Sequence, residues 1–168
     1  KLCESIEEAI CRSGLKSGMT ISFHHAFRGG DLIINTVLDI IARMGFKDLT
    51  LASSSLASVH DAVIEHIKSG VITQIYTSGL RSKLGEAISK GLMEKPVQIH
   101  SHGGRVHLLQ SGELKIDVAF LGVPVSDKFG NEALITMTDT KKAAAYVNAL
   151  RDTYFESMKQ YSETGSRK

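Results

Sequence analysis

The 168-residue sequence predicts an α/β fold, an open and mostly parallel sheet flanked by helices. Strand-like runs alternate with helical stretches of roughly a dozen residues, as in βαβ units. The run 116–125 is almost wholly apolar, which is typical of a central strand buried on both faces of a parallel sheet. There is no linker, repeat or low-complexity segment, so the chain is predicted to form a single α/β domain, 1–168.

The first part of the chain is predicted to contain three strands and three helices. A helix over 2–13 ends at Gly14, which suits a left-handed C-cap. After the strand "MTISF", the segment "DLIINTVLDIIARMG" repeats apolar residues at helical spacing, with Asp31 as N-cap and Gly45 as terminator. The remaining elements are a strand at 48–52, a helix that follows serines 53–55 and ends at Gly70, and a β-branched strand at 71–77.

The alternation of helices and strands continues in the second part of the chain. The predicted elements are a glycine-interrupted helix at 78–92, a strand at 96–101, a short helix or turn at 102–112, the apolar strand at 116–125, a turn at 126–131, a strand at 133–138 and a long helix at 140–161. The last helix carries apolar and aromatic residues on one side, and a frayed tail follows it.

Composition excludes several classes of protein. Hydrophobic residues make up 42% and charged residues 23%, as in soluble globular proteins. The net charge of +2 is too small to indicate nucleic-acid binding, and no apolar run is long enough to span a membrane. Cys3 and Cys11 are about 12 Å apart along a helix axis, too far for a disulfide, so we expect a reducing, cytoplasmic compartment.

Polar segments follow five of the predicted strands. Because the carboxyl ends of parallel strands meet at one edge, these segments are expected to line a single cleft. Glycine and hydroxyl residues at helix N-termini expose N–H groups that suit carboxylates and phosphates, and Arg28 adds a guanidinium that can grip a carboxylate. The segments are "HHAFRGGD" (24–31), "SSSL" (53–56), "TSGL" (77–80), "HSHGG" (100–104) and "SDKFGN" (126–131).

Each of these features also has a structural interpretation. A Ser/Gly loop before a helix is usually only a cap, and His24 and His25 can be hydrogen-bonding residues at a strand end. His100 and His102 share one face of the predicted strand, but no third ligand at diagnostic spacing supports a metal. The GxGxxG, Walker A and GxSxG motifs are missing, which leaves dinucleotide binding, P-loop chemistry and serine hydrolysis without support.

Longer motifs carry a resemblance to a known family. The stretches "SFHHAFRGGD", "LTLASSSL", "IYTSGLRSKLGEAISKGL", "VQIHSHGGRVHLLQSGELKIDVAFLGVP" and "DKFGN" resemble the N-terminal part of the citrate lyase alpha chain, in the CoA-transferase superfamily. The resemblance runs in unbroken order over 1–131. Residues 132–168 are unmatched and are predicted to add a closing strand and a C-terminal helix.

The resemblance implies a citrate CoA-transferase, which exchanges acetate for citrate on an acyl-carrier-protein thioester. It implies citrate, the acetyl thioester and the beta and gamma subunits of citrate lyase as partners, with a homo-oligomer left open. CoA or acyl-carrier-protein thioester is a substrate, and no tightly bound cofactor is implied. The family is understood to act through a mixed anhydride, without an enzyme-bound glutamyl thioester, and we assign no catalytic nucleophile.

The resemblance also suggests roles for individual residues. Arg28 would bind a substrate carboxylate, and the amides of Gly29 and Gly30 would stabilise an oxyanion. Other substrate-binding candidates line the thioester path or the same crevice, namely Ser54, Ser55, Thr77, Ser78, Gly79, His100, His102 and Asn131. Two alternatives remain, a catalytically inactive ligand-binding or interaction module and a sugar-phosphate isomerase or sensor of related architecture.

Overall fold

The computed structural model describes residues 3–24 and 32–122, together with the backbone of 125–126 and 132–133. The strands are β1 (Thr20–His24), β2 (Leu49–Ser53), β3 (Ile72–Thr77), β4 (Gln98–Ile99), β5 (Val118–Leu121), β6 (Val125–Ser126) and β7 (Glu132–Ala133). The helices are α1 (Ile6–Ser13), α2 (Ile33–Arg43), α3 (Val63–Lys68), α4 (Ser82–Ser89) and α5 (His102–Ser111), with a 3₁₀ turn at Ser58–His60.

Five strands form one sheet in the order β4-β3-β2-β1-β5, and every neighbouring pair is parallel. The predicted α/β fold with a mostly parallel sheet is therefore confirmed. Ser22 of β1 lies opposite Ala52 of β2 and Ala119 of β5, which fixes the register across the middle of the sheet.

The strand order reverses once. From β1 to β4 each strand is added on the same side of the previous one, whereas β5 returns to the other side of β1. Right-handed crossovers then place α2, α3 and α4 on one face of the sheet and α5 on the opposite face. The reversal lies between β1 and β5, where His24 pairs with Leu121, and open α/β sheets bind ligands at such a point.

The hydrophobic core lies between the sheet and helices α1 to α4. Alternate residues of β1 point into it, and Phe23 stacks on Phe120 of β5 with ring centroids 5.2 Å apart. Each fully buried aliphatic or aromatic side chain contributes about 1.5–3 kcal/mol relative to an exposed one. The fully buried members include Ile10, Ile21, Phe23, Ile34, Leu38, Ile41, Leu49, Leu51, Ile72, Ile75 and Leu84.

Within the part of the chain that the structure describes, the apolar run at 116–125 does not form a central strand. β5 is an edge strand of the described sheet, and only Val118 and Phe120 are half-buried, while Ala119 and Leu121 are exposed. The prediction failed because a continuous apolar run indicates that both faces can be buried but not that both are covered. Leu121 remains 53% exposed on the face that α5 covers incompletely.

Several predicted boundaries also change. The segment after the serines at 53–55 forms a 3₁₀ turn before the short α3, and α4 begins only at Ser82, because Leu80 still bridges to Leu56 in parallel fashion. Residues 102–111 form a full helix, so His102 starts α5 and does not share a strand face with His100. Asp31 is outside the described residues, and the N-cap position of α2 is Leu32.

The chain divides into two compact units. One contains residues 2–122 and the five-stranded sheet, and the other contains residue 1 and residues 123–168. In the second unit the described residues form one antiparallel pair, β6 with β7. The predicted turn at 126–131, strand at 133–138 and helix at 140–161 lie wholly or largely outside the described residues, and the division at residue 131 stays a prediction.

Among the helices that the structure describes, none combines the length and the hydropathy needed to cross a bilayer. Cys3 and Cys11 are both exposed free thiols, and Cys3 precedes α1.

Candidate functional site

The segments after β2 and β3 are joined at the carboxyl edge of the sheet. The backbone N–H of Ser78 donates to the carbonyl oxygen of Ser54 at 3.0 Å, and the Ser78 hydroxyl donates to the same oxygen. One step further, the N–H of Leu56 donates to the carbonyl oxygen of Gly79 at 2.9 Å. The predicted convergence of the "SSSL" and "TSGL" segments is therefore present in the structure.

Hydroxyl groups shape both turns. Thr77 is fully buried, and its Oγ1 donates to the carbonyl oxygen of Gly79 at 3.1 Å. The buried Ser53 makes the equivalent contact to the carbonyl oxygen of Ser55 at 3.2 Å. A Cβ added at Gly79 would lie 3.4 Å from Ser55 Oγ, so the two turns touch. Thr77 and Ser78 thus act first as structural residues of this edge.

The contacts extend from β1 to β4. The N–H of Ser54 donates to the carbonyl oxygen of Phe23 at 3.3 Å, and the N–H of His100 donates to the carbonyl oxygen of Thr77 at 3.0 Å. Four consecutive parallel strands therefore end in one hydrogen-bonded rim. Of the predicted site residues, Ser54, Ser55, Thr77, Ser78, Gly79 and His100 are brought together there.

The rim continues into the start of α5. Ser101 is the N-cap residue, and its Oγ accepts from the N–H of Gly104 at 2.9 Å. The Nδ1 of His100 lies 3.1 Å from the carbonyl oxygen of Ser101, which can only accept, so Nδ1 carries the proton. The Nε2 of His100 is enclosed and has no hydrogen-bond partner among the residues that the structure describes, whereas His102 is exposed.

Arg105 is a residue of this region that the sequence did not single out. Its Nη2 donates to Ser22 Oγ at 2.8 Å and to the carbonyl oxygen of Ala52 at 3.3 Å, so it links α5 to β1 and β2. Desolvation by burial lowers the pKa of this guanidinium from its usual value, but an arginine stays charged in proteins. The sequence did contain one sign of this contact. Ser22 in "TISFH" is a polar residue within an apolar strand, which indicates a buried hydrogen-bond partner.

Some predicted site residues lie outside the described residues. These are His25, Arg28, Gly29, Gly30 and Asn131, and their roles stay predictions. Segment 25–31 follows His24, the last residue of β1, directly in the chain. Within the described ranges, His, Cys, Asp and Glu side chains do not gather in a group of three that could hold a metal ion.

The rim contains hydroxyl groups, backbone amides and imidazoles, and the guanidinium of Arg105 lies one step below it; the hydroxyls of Ser53, Thr77 and Ser78 already donate to backbone carbonyls. Such groups donate hydrogen bonds to anions, and charge-assisted bonds from a guanidinium to a carboxylate are the strongest of this kind. The first turn of α5 adds the positive end of a helix dipole. The arrangement therefore favours a carboxylate or another anionic oxygen ligand.

Comparison with known proteins agrees with the fold. The family described as "Citrate lyase, alpha subunit (CitF)" matches residues 1–153. The chain is 73% identical over 131 residues to the citrate lyase alpha chain of Klebsiella pneumoniae and 71% identical over 131 residues to that of Escherichia coli (strain K12), with 78% of this chain and 26% of the relative covered in each case.

A solved structure is also similar. It is the putative alpha subunit of citrate lyase from Streptococcus mutans in complex with citrate, at a TM-score of 0.77 and 58% identity, covering 79% of this chain and 26% of that one. The chain thus spans about a quarter of the length of the relatives it matches. Since the family match extends over residues 1–153, well over half of the sequence, the chain belongs to the citrate lyase alpha subunit family.

Proposed function

We propose that the chain supplies the citrate-binding part of a citrate CoA-transferase, which exchanges acetate for citrate on an acyl-carrier-protein thioester. The observation that carries the proposal is the joining of four parallel strand ends into one hydrogen-bonded rim in a chain of this family. The similar structure from Streptococcus mutans was solved in complex with citrate, which supports a tricarboxylate as the ligand.

The reaction we propose balances without a cofactor. A carboxylate of citrate attacks the acetyl thioester carbonyl, and collapse of the tetrahedral intermediate releases the thiolate and leaves an acetyl–citryl anhydride. The thiolate then attacks the citryl carbonyl, forms the citryl thioester and releases acetate. Donors aimed at the developing oxyanion lower the barrier of both steps, and typically one such donor contributes about 10²–10³ in rate.

The predicted residues divide between the two substrates. Arg28 binds a carboxylate of citrate, and the amides of Gly29 and Gly30 donate to the oxyanion. The turns at Ser54, Ser55, Thr77, Ser78 and Gly79, together with His100, His102 and Asn131, line the path of the thioester arm. We further propose acyl carrier protein and the beta and gamma subunits of citrate lyase as partners, and a cytoplasmic location in keeping with two exposed free thiols.

Two measurements on this chain test the proposal. Isothermal titration with citrate measures binding, and acetate release from acetyl-CoA plus citrate, with CoA as carrier analogue, measures turnover. Arg28→Ala should weaken citrate binding at least about tenfold, in line with a charge-assisted hydrogen bond. Arg12→Ala is the matched control, because Arg12 lies on the surface of α1 and pairs with Glu8. Equal affinities for the two variants would remove the assignment of Arg28.

A second candidate is a ligand-binding module that does not turn over substrate. Citrate binding without acetate release, at any concentration of acetyl-CoA, would support the module and contradict the transferase for this chain.

A further inference from the structure

Arg105 is a half-buried cation without a counter-charge. Among the described residues, the ion pairs do not include it, and its two hydrogen bonds go to uncharged oxygens. Its Nη1 is enclosed and has no hydrogen-bond partner. An enclosed charged donor without an acceptor is costly, so its presence in a folded protein requires an explanation.

The position of Arg105 is tied to the rim. Ser22 and Ala52 lie opposite each other on β1 and β2, two residues before His24 and Ser54, respectively. Two residues of strand span about 7 Å. The guanidinium therefore lies on the α5 face, one step below the rim, against β1 and β2, and β1 is one of the two strands between which the order reverses.

The guanidinium is also held in place before any ligand arrives. Nη2 is fixed by Ser22 Oγ at 2.8 Å and by the carbonyl oxygen of Ala52 at 3.3 Å, and both oxygens belong to the central strands. No described residue of α5 is fully buried, and Arg105 supplies the side-chain hydrogen bonds described between this helix and β1 and β2. Only the second terminal nitrogen remains for another acceptor.

We propose that Arg105 binds a carboxylate of the substrate through Nη1. The inference rests on the proposed function, in which citrate is the ligand. A tricarboxylate needs more than one cationic contact to be held in a single orientation, and Arg105 supplies a fixed one on the sheet. Because Nη1 is enclosed, binding requires the guanidinium to turn about its bond to Ser22 until Nη1 meets the ligand.

A comparison of ligands in two proteins tests this role. Citrate and tricarballylate carry the full set of carboxylates, glutarate lacks the central one, and 2-methylsuccinate lacks a terminal one. Titration calorimetry of each acid with the wild-type chain and with Arg105→Met forms a double-mutant cycle. We expect Arg105→Met to bind citrate and tricarballylate at least about tenfold more weakly than the wild type does. Its affinity for the dicarboxylate that lacks the contacted group should be almost unchanged.

Arg105→Lys and Ser22→Ala complete the design. The lysine variant keeps the charge without the planar guanidinium and should bind citrate with intermediate affinity. It also tests the role of Arg105 if Arg105→Met does not fold. Ser22→Ala removes one acceptor of Nη2 and should weaken the binding of tricarballylate less than Arg105→Met does. Circular dichroism of each variant checks the fold.

Each outcome decides between the two proposals. Citrate binding that is equal in wild type, Arg105→Met and Arg105→Lys overturns the role of Arg105 and leaves the proposed function standing. An equal loss for all four acids also overturns it, since that pattern reports a structural role. If citrate does not bind but glutarate or 2-methylsuccinate binds in an Arg105-dependent way, the citrate function fails and the carboxylate contact stands. Absence of binding for every acid overturns both.

Discussion

The carboxylate of Asp61 accepts a hydrogen bond from the backbone N–H of Leu84 at 3.0 Å and another from the hydroxyl of Ser82 at 3.0 Å. Asp61 thereby caps α4 from a different part of the chain, because the N-cap residue Arg81 makes no side-chain cap bond. The contact fixes the helix that directly follows the "TSGL" turn of the rim.

Replacement of Asp61 by Ala should lower the free energy of unfolding by about 1 kcal/mol, the usual value of an N-cap, because two donors lose their acceptor. Asp61→Asn keeps an oxygen for the N–H of Leu84 and should cost less. Urea unfolding of the three proteins measures the difference. Similar midpoints for Asp61→Ala and wild type would show that Asp61 does not cap α4.

Ser82 has a φ of 61°, in the left-handed region that L-residues with a side chain rarely adopt. A Cβ in this region costs about 1 kcal/mol, and glycine is free of that cost. Ser82→Gly and Ser82→Ala both remove the hydroxyl that donates to Asp61. We therefore expect Ser82→Gly to unfold at a higher urea concentration than Ser82→Ala, the reverse of the order in an ordinary helix. The opposite order would contradict the left-handed conformation.

Gly103 and Gly104 are neighbours at the start of α5 and should respond differently to alanine. A Cβ at Gly103 meets nothing within 4 Å, whereas one at Gly104 lies 3.2 Å from Ser101 Oγ and 3.4 Å from His100 Cβ. Gly103→Ala should stabilise the protein by about 0.5–1 kcal/mol through helix propensity. Gly104→Ala should lose that gain, because the cap residue must shift. Thermal unfolding compares the two, and an equal gain would show that Gly104 is not in contact with the cap.

Thr77 tests the structural part of the rim. Thr77→Val removes the buried hydroxyl and one of the two donors to the carbonyl of Gly79, while the N–H of Leu56 still donates to it, so the change should cost about 1 kcal/mol. Thr77→Ser keeps the hydroxyl and should lose less. Because the turn at Ser78 and Gly79 depends on this bond, citrate affinity should also fall in Thr77→Val. Unchanged stability of Thr77→Val would mean that the bond at 3.1 Å does not hold the turn.

The sequence was sufficient for the elements whose signals are local. β1, β2 and β3 were predicted to within one residue at each end, because β-branched runs between glycines and serines define them. The joining of Ser54 to Ser78 followed from the rule that parallel strand ends share one edge. The edge position of β5 could not be predicted, since it depends on which strand it pairs with and not on its own residues.

Arg105 escaped prediction for a related reason. Its partners Ser22 and Ala52 are 83 and 53 residues away in the chain, and no spacing within "SHGGRVHLLQSG" indicates them. Asp61 was likewise missed as a cap, because capping rules consider the residues just before a helix and α4 begins 21 residues later.

The strand order determines which strand edges stay unpaired while the protein is being synthesised. β1, β2, β3 and β4 can pair one after another as the nascent chain lengthens, since each joins the strand made just before it. The partner of β1 on its other side is β5, which is synthesised much later, so during translation the backbone of β1 is an open template. Such an edge invites pairing with another polypeptide. Slow synthesis between residues 100 and 118 should therefore increase aggregation, and chaperone capture is expected in this window.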